Sequence, residues 1–213
     1  MKNDFITRLM SVLVAGSLSI SGCSMQGDEP DLAITNVSVI DVVSDSAQSG
    51  KTVLVSGDRI QAIVDAKSAS LPEGLTTVDG SGQFLIPGLW DAHVHFSYIP
   101  ELAENMLTLF LANGITRVRD TGGQIHLVKP WAEKVASGEL SGPKIYYAGP
   151  LLDGVPTVYD GSTPQRPNLG TSVPTPEAGR AIVDSMIAEG ATFVKAYEML
   201  KPEVFEAITA RAK

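Results

Sequence analysis

Cysteine is almost missing. Cys23 is the one cysteine among 213 residues, so no disulfide can form within the chain and the fold must hold by its core. Histidine is scarce, with three residues, and two of them, His93 and His95, stand two positions apart. The net charge is −8 and no Lys/Arg block occurs, which removes the electrostatic footprint of a nucleic-acid binder and leaves small molecules as the expected partners. Leu9 to Ile20 is apolar but too short to span a bilayer. What is present is ordinary: 44% hydrophobic and 19% charged residues, with 20 Gly and 13 Pro. That composition excludes disorder and supplies one large core or two small ones.

The stretch FLIPGLWDAHVHF, residues 84–96, carries the chemistry. Side chains alternate faces along a strand, so His93 and His95 point the same way, about 7 Å apart, and can share one ion. Asp91 falls on their face, while Leu89, Ala92 and Val94 supply the apolar neighbours expected of a buried strand. An H-x-H pair alone also occurs as two polar residues on a half-exposed strand. The run PGLWDAHVHF resembles the first-strand signature of the amidohydrolase superfamily, P-G-[LF]-[IVW]-D-x-H-x-H. That resemblance runs from about Asp31 to the end of the chain. It implies an α/β fold in which a partial β-sandwich precedes a (β/α)8 barrel, and a metal-dependent hydrolase with His93 and His95 as ligands of the more buried ion.

Ahead of this lies a leader. Lys2 and Arg8 precede the apolar stretch, whose length suits the core of an export signal, and Ile20-Ser21-Gly22-Cys23 closes it. This resembles the lipobox of bacterial lipoproteins, which implies removal of the signal peptide, lipidation of Cys23 as the mature N-terminus, and, from Ser24, attachment at the periplasmic side of the outer membrane. An uncleaved anchor or a small buried helix is the competing reading. Residues 1–23 are thus expected to be signal peptide and lipobox, and the polar residues 24–31 a tether.

Residues 32–86 read as a partial β-sandwich of short antiparallel strands: LAITNVSVIDVV, then KTVLVSGDRIQAIV around a Gly-Asp hairpin, then TTVDGSGQFLIPG. Residues 87–213 read as the first four β/α units of a barrel. Strands are expected at 88–95, 115–119, 143–148 and 192–197, and helices near 100–113, 125–137, 176–189 and 202–212, the first ending at Asn113-Gly114. Alternating strands and helices imply a parallel sheet. The long connection from Pro150 to Thr175 is a candidate substrate loop, and equally a mere insertion.

GATFVKAY, residues 190–197, puts Lys195 in an otherwise apolar strand, with Phe193 and Tyr197 on its face. Burial disfavours the ammonium, and a neutral amine can add carbon dioxide to become a carbamate with two oxygens. A lysine snorkelling to solvent is the plainer alternative. The run resembles the carboxylated-lysine motif of binuclear amidohydrolases, GA-x-x-[IV]-K. That implies a Lys195 carbamate bridging two metal ions, zinc first among the choices, with two further histidines and a strand-eight aspartate acting as general base expected after Lys213. ANGITRVRDTGG and GPKIYYAGPLLDG, residues 112–123 and 142–154, resemble the branch holding imidazolonepropionase-like proteins and Xaa-Pro or Xaa-Arg dipeptidases. Asp120 ends its strand on the catalytic face and is a candidate to orient a loop or a histidine, or simply caps a turn. Tyr197 is a candidate to reach a substrate carbonyl or carboxylate, and His126 is expected at the surface.

By this resemblance the activity is hydrolysis of a C–N bond, amide or peptide-like, or a related ester, by a hydroxide between two ions roughly 3.5 to 4 Å apart. A full barrel needs about 250 residues, so the barrel is expected to be incomplete in this chain and the polypeptide inactive alone, unless a completing fragment or another copy joins it. Two rivals stand beside this: a non-catalytic envelope lipoprotein that binds through a degenerate half-barrel, and a mononuclear deaminase, which has no need of Lys195.

Overall fold

In the computed structural model, residues 29–213 are described. They form two compact units, parted between Ile86 and Pro87. Cys23 and the apolar stretch before it lie outside the described residues. Among the described residues no helix is long and apolar enough to cross a membrane.

The first unit is one five-stranded sheet: β1 (Leu32–Asp41), β2 (Ser46–Ser56), β3 (Arg59–Asp65), β4 (Thr76–Asp79) and β5 (Phe84–Leu85). The order is β3-β2-β1-β4, with β5 also on β1. Three features depart from the expected antiparallel strands. First, β1 ends at Asp41 rather than running through Val43. The Asp41 carboxylate accepts the N–H groups of Val43 (2.9 Å) and Ser44 (3.2 Å), which turns the chain and leaves both valines exposed, so the local hydrogen bonds overrule the apolar pattern. Second, β4 and β5 pair with β1 in parallel, because the chain crosses from β3 to the far side of β1 before pairing again. Third, TTVDGSGQFL is two strands. Gly80 separates them at a point where a Cβ would lie 2.7 Å from that of Val37.

The second unit alternates strand and helix: β6 (Leu89–Val94), α1 (Pro100–Ala112), β7 (Ile115–Asp120), α2 (Ile125–Ala136) and β8 (Lys144–Tyr147). The long connection holds β9 (Leu151–Asp153), β10 (Asp160–Thr163), β11 (Arg166–Asn168) and β12 (Gly170–Ser172), and α3 (Pro176–Ala188) and α4 (Pro202–Arg211) follow. β6, β7 and β8 pair in parallel in that order. Proline opens α1, α3 and α4, where its missing N–H has no helical partner to lose, and the Thr175 hydroxyl caps α3 by accepting from Ala178 N–H. Gly114, at φ +75°, stops α1 as expected. Leu107, Val118, Val128, Leu152, Val183, Met186 and Ile208 are fully or nearly fully buried in the core that joins sheet to helices. That core fixes the strand ends from which the site is built.

Two expectations are corrected here. β6 is not a buried strand. It lies at the edge of its sheet, with Leu89 and Trp90 about half exposed; Trp90 is covered in part by stacking on Tyr146 at 5.2 Å. Residues 192–197 are not a regular strand either. They run alongside Tyr147 and Leu152 through one parallel bridge, Leu152 to Ala196, and through Thr192 N–H to Tyr147 C=O at 3.0 Å. The segment opposite is broken by Gly149 at φ +76° and by Pro150, so no continuous ladder is on offer.

Candidate metal centre

The site lies at the carboxyl ends of these strands. The Nε2 atoms of His93 and His95 are 3.1 Å apart, and the rings meet edge to face with centroids 5.1 Å apart. His95 Nδ1–H donates to the Gly122 carbonyl at 2.8 Å, which leaves a lone pair at its Nε2 and makes His93 Nε2–H the donor between the rings. His93 is exposed at the mouth and His95 half-buried. Partial desolvation, then the charges of His95 and Lys195, hold the His93 imidazole below its ordinary value, with Asp91 opposing them. Asp91 itself accepts the backbone N–H of His93 at 3.1 Å.

Lys195 joins them in one cavity of about 180 Å³. Its carbonyl accepts Leu152 N–H (2.9 Å), and Tyr197 N–H returns to the Leu152 carbonyl (2.8 Å), so this two-bond grip places Lys195 without a full strand. The expectation of a buried amine is corrected. Lys195 is half-buried, its side chain lining the cavity rather than sealed in the core. Phe193 does not line the cavity with it, and instead stacks under the Arg119 guanidinium at 4.2 Å.

Aromatic residues wall the cavity: Tyr98, Tyr159 and Tyr197, with Leu151 and Leu169. Tyr159 and Tyr197 pack edge to face at 5.8 Å, and desolvation pushes the Tyr197 phenol up. Tyr159 comes from the long connection, which therefore covers the site instead of looping away. Neither Tyr98 nor Tyr159 stands out in the sequence, since a tyrosine in a polar loop has no periodicity to mark it. A larger apolar groove of about 430 Å³ lies between β6 and α1 and shares His95 and Tyr98 with the site cavity. His126 is exposed at the start of α2.

Asp120 is fully buried at the end of β7 and accepts Phe96 N–H at 2.7 Å and Gly122 N–H at 3.1 Å. Burial pushes its carboxyl up to about 6. Asp153, also fully buried, accepts from Gly154 and Val158 N–H at 2.8 Å each and from Met199 N–H at 2.7 Å.

Among the described residues no group of three or more His, Cys, Asp and Glu is placed to hold a metal ion. The donors on offer are two imidazoles and an amine. They fit a divalent ion in one decisive respect: the 3.1 Å between the imidazole nitrogens is less than twice the roughly 2.0–2.1 Å of a zinc–nitrogen bond, so both reach a common ion with little movement.

No family model matches this sequence. Similar curated proteins include adenine deaminase 2 of Bradyrhizobium sp. (strain ORS 278), 31% identical over 90 residues, 42% of this chain and 15% of that protein. The adenine deaminase of Desulfatibacillum aliphaticivorans is 42% identical over 71 residues, 33% of this chain and 11% of that protein. Similar solved structures include a putative prolidase from Bifidobacterium longum, with TM-score 0.72, 26% identity, 86% of this chain and 47% of that chain. A Xaa-Pro dipeptidase with bound methionine gives TM-score 0.73, 21% identity, 85% of this chain and 53% of that chain. This chain thus spans about half the length of the solved proteins and a small part of the curated ones. The fold is α/β and amidohydrolase-like, and it matches about half of each of these solved barrel enzymes.

Proposed function

We propose that this chain supplies the first ligands of a metal-dependent hydrolase acting on C–N bonds of small, dipeptide-like molecules. The observation that carries this is the meeting of His93, His95 and Lys195 in one cavity, from segments about a hundred residues apart in sequence. His93 and His95 would hold one ion through Nε2, and Lys195, as its carbamate, would bridge to a second. The carbamate forms when the neutral amine adds carbon dioxide and releases a proton. Zinc suits imidazole and carboxylate-type oxygens. When bound, the ions supply Lewis acidity toward the scissile carbonyl and an activated water. The chain's own residues do the rest. The Gly122 carbonyl orients His95, Tyr197 would donate to a substrate carbonyl or carboxylate, and Tyr159 and Leu169 would cover the bound group. Three ligands fall short of a two-metal set with its general base, so the 213-residue polypeptide alone is expected to be inactive.

A second reading is deamination, which the names of the adenine deaminase relatives favour; one metal ion would serve it. Zinc-loaded protein, alone and with a C-terminal complement from a related barrel, assayed on Xaa-Pro dipeptides and on adenine, separates the two. Dipeptide cleavage only with the complement supports the proposal, ammonia release from adenine supports the second reading, and brisk turnover by the chain alone defeats the inactivity claim. A third reading, a non-catalytic binding lipoprotein, predicts no turnover with any complement. Lipid anchoring through Cys23 in the bacterial cell envelope is likewise proposed. Fatty-acid labelling of the expressed chain, lost in Cys23→Ser, tests it.

A further inference from the structure

We infer that Asp120 is a positioning residue that fixes the tautomer and direction of His95 before any ligand arrives. The inference rests on the reading above only in taking His95 as a ligand. The two backbone segments that hold the His95 ring are the one it belongs to and the one whose carbonyl it meets. Asp120 grips both: one carboxylate oxygen takes Phe96 N–H, the residue after His95, and the other takes Gly122 N–H, within the residue whose carbonyl receives His95 Nδ1–H. Its backbone is locked too. The Asp120 carbonyl accepts Ala148 N–H at 2.9 Å, and the next residue, Thr121, donates to the Val94 carbonyl at 3.0 Å.

The geometry leaves little slack. A Cβ on Gly122 would lie 2.4 Å from the Leu151 side chain and 3.3 Å from His95 Cε1, and one on Gly123 would lie 1.8 Å from Ser97 Oγ. The ring therefore sits against bare backbone. The buried hydroxyls nearby, Ser97 and Thr121, have no hydrogen-bond partner among the described residues, so they do not stand in for the carboxylate. A ligand imidazole must present a lone pair at one nitrogen and a proton at the other, and the acceptor at the far nitrogen decides which. Here that acceptor is a carbonyl whose residue is held at its N–H by Asp120 (3.1 Å), while the following N–H, of Gly123, donates to the Gly149 carbonyl (3.0 Å). Asparagine in place of Asp120 has one oxygen and one NH2 facing two N–H donors, so it can satisfy one segment and repels the other.

The test is ring-nitrogen NMR on the metal-free, 15N-histidine-labelled full chain at about pH 8, where an ordinary imidazole is neutral. The unaltered chain should show His95 in a single form protonated at Nδ1, and Asp120→Asn should show averaged ring shifts from a tautomer mixture. Zinc affinity should fall about 10- to 100-fold in the variant. An unchanged single tautomer in a folded Asp120→Asn chain overturns the inference. If that variant does not fold, amide exchange of the unaltered chain decides: Phe96 and Gly122 should exchange at least about tenfold more slowly than in an unstructured chain, and free exchange at both overturns it. A chain that takes up no zinc yet shows the Asp120-dependent tautomer defeats the metal reading and leaves this one standing.

Discussion

At the scale of single residues, the site depends on atoms that are absent as much as on those present. Gly122 has no Cβ where one would press on Leu151 and His95, and Leu151 is buried, so its side chain has nowhere to swing. Gly122→Ala should therefore destabilise the chain by about 1–3 kcal/mol, as overpacking does, read as a lower urea midpoint. An unchanged midpoint would mean the loop yields freely. Asp120 gives a pH signature as well. Its folded-state value of about 6 stands above the ordinary 3.8, so between these values the folded chain keeps a proton that the unfolded chain has released. That contribution to stability is full below pH 3.8 and is lost as pH rises through about 6. It amounts to on the order of 2–3 kcal/mol at roughly 1.4 kcal/mol per unit. An asparagine at this position cannot titrate, so the stability of the unaltered chain relative to Asp120→Asn should fall by that much between about pH 3.5 and pH 7. A constant difference would contradict it.

At the scale of elements, what was legible in the sequence is what local physics decides. Three of the four helices begin at a proline, one of them capped by a threonine, and α1 stops at a glycine with positive φ; their apolar spacing did the rest. The elements that depend on distant partners were misread. Residues 192–197 look like a strand by composition, yet Gly149 and Pro150 on the neighbouring segment deny them a ladder. Val42 and Val43 are a local exception: they extend an apolar pattern that the neighbouring Asp41 carboxylate cuts short by turning the chain. The Pro150–Thr175 connection has no periodic pattern, and Asp153 ties it together and to the segment after Lys195 by taking the N–H groups of Gly154, Val158 and Met199. Asp153→Ala leaves all three unsatisfied, which should cost at least about 2 kcal/mol and speed proteolytic cutting within residues 154–175. Cleavage at the rate of the unaltered chain would show that other contacts hold the connection.

At the scale of the whole molecule, the second unit gathers the candidate ligands at the carboxyl ends of its strands and leaves open surfaces beside them: Trp90, Leu102 and Leu109 are each about half exposed. Spacing and motif single out His93, His95 and Lys195, which the fold brings to one cavity, but nothing in the sequence marks Tyr98, Tyr159 or the carbonyl of Gly122, because each enters through a contact that only the folded chain creates. The proposed chemistry stands on the two imidazoles and the amine holding a divalent cation together. The direct measurement is zinc titration of the purified chain in the presence of bicarbonate, followed by calorimetry and metal analysis, with the His93→Ala/His95→Ala and Lys195→Ala variants alongside. The expected result is uptake of about one ion per chain, abolished in the double variant and weakened in the lysine variant; equal uptake by all three, or none by the unaltered chain, would contradict it.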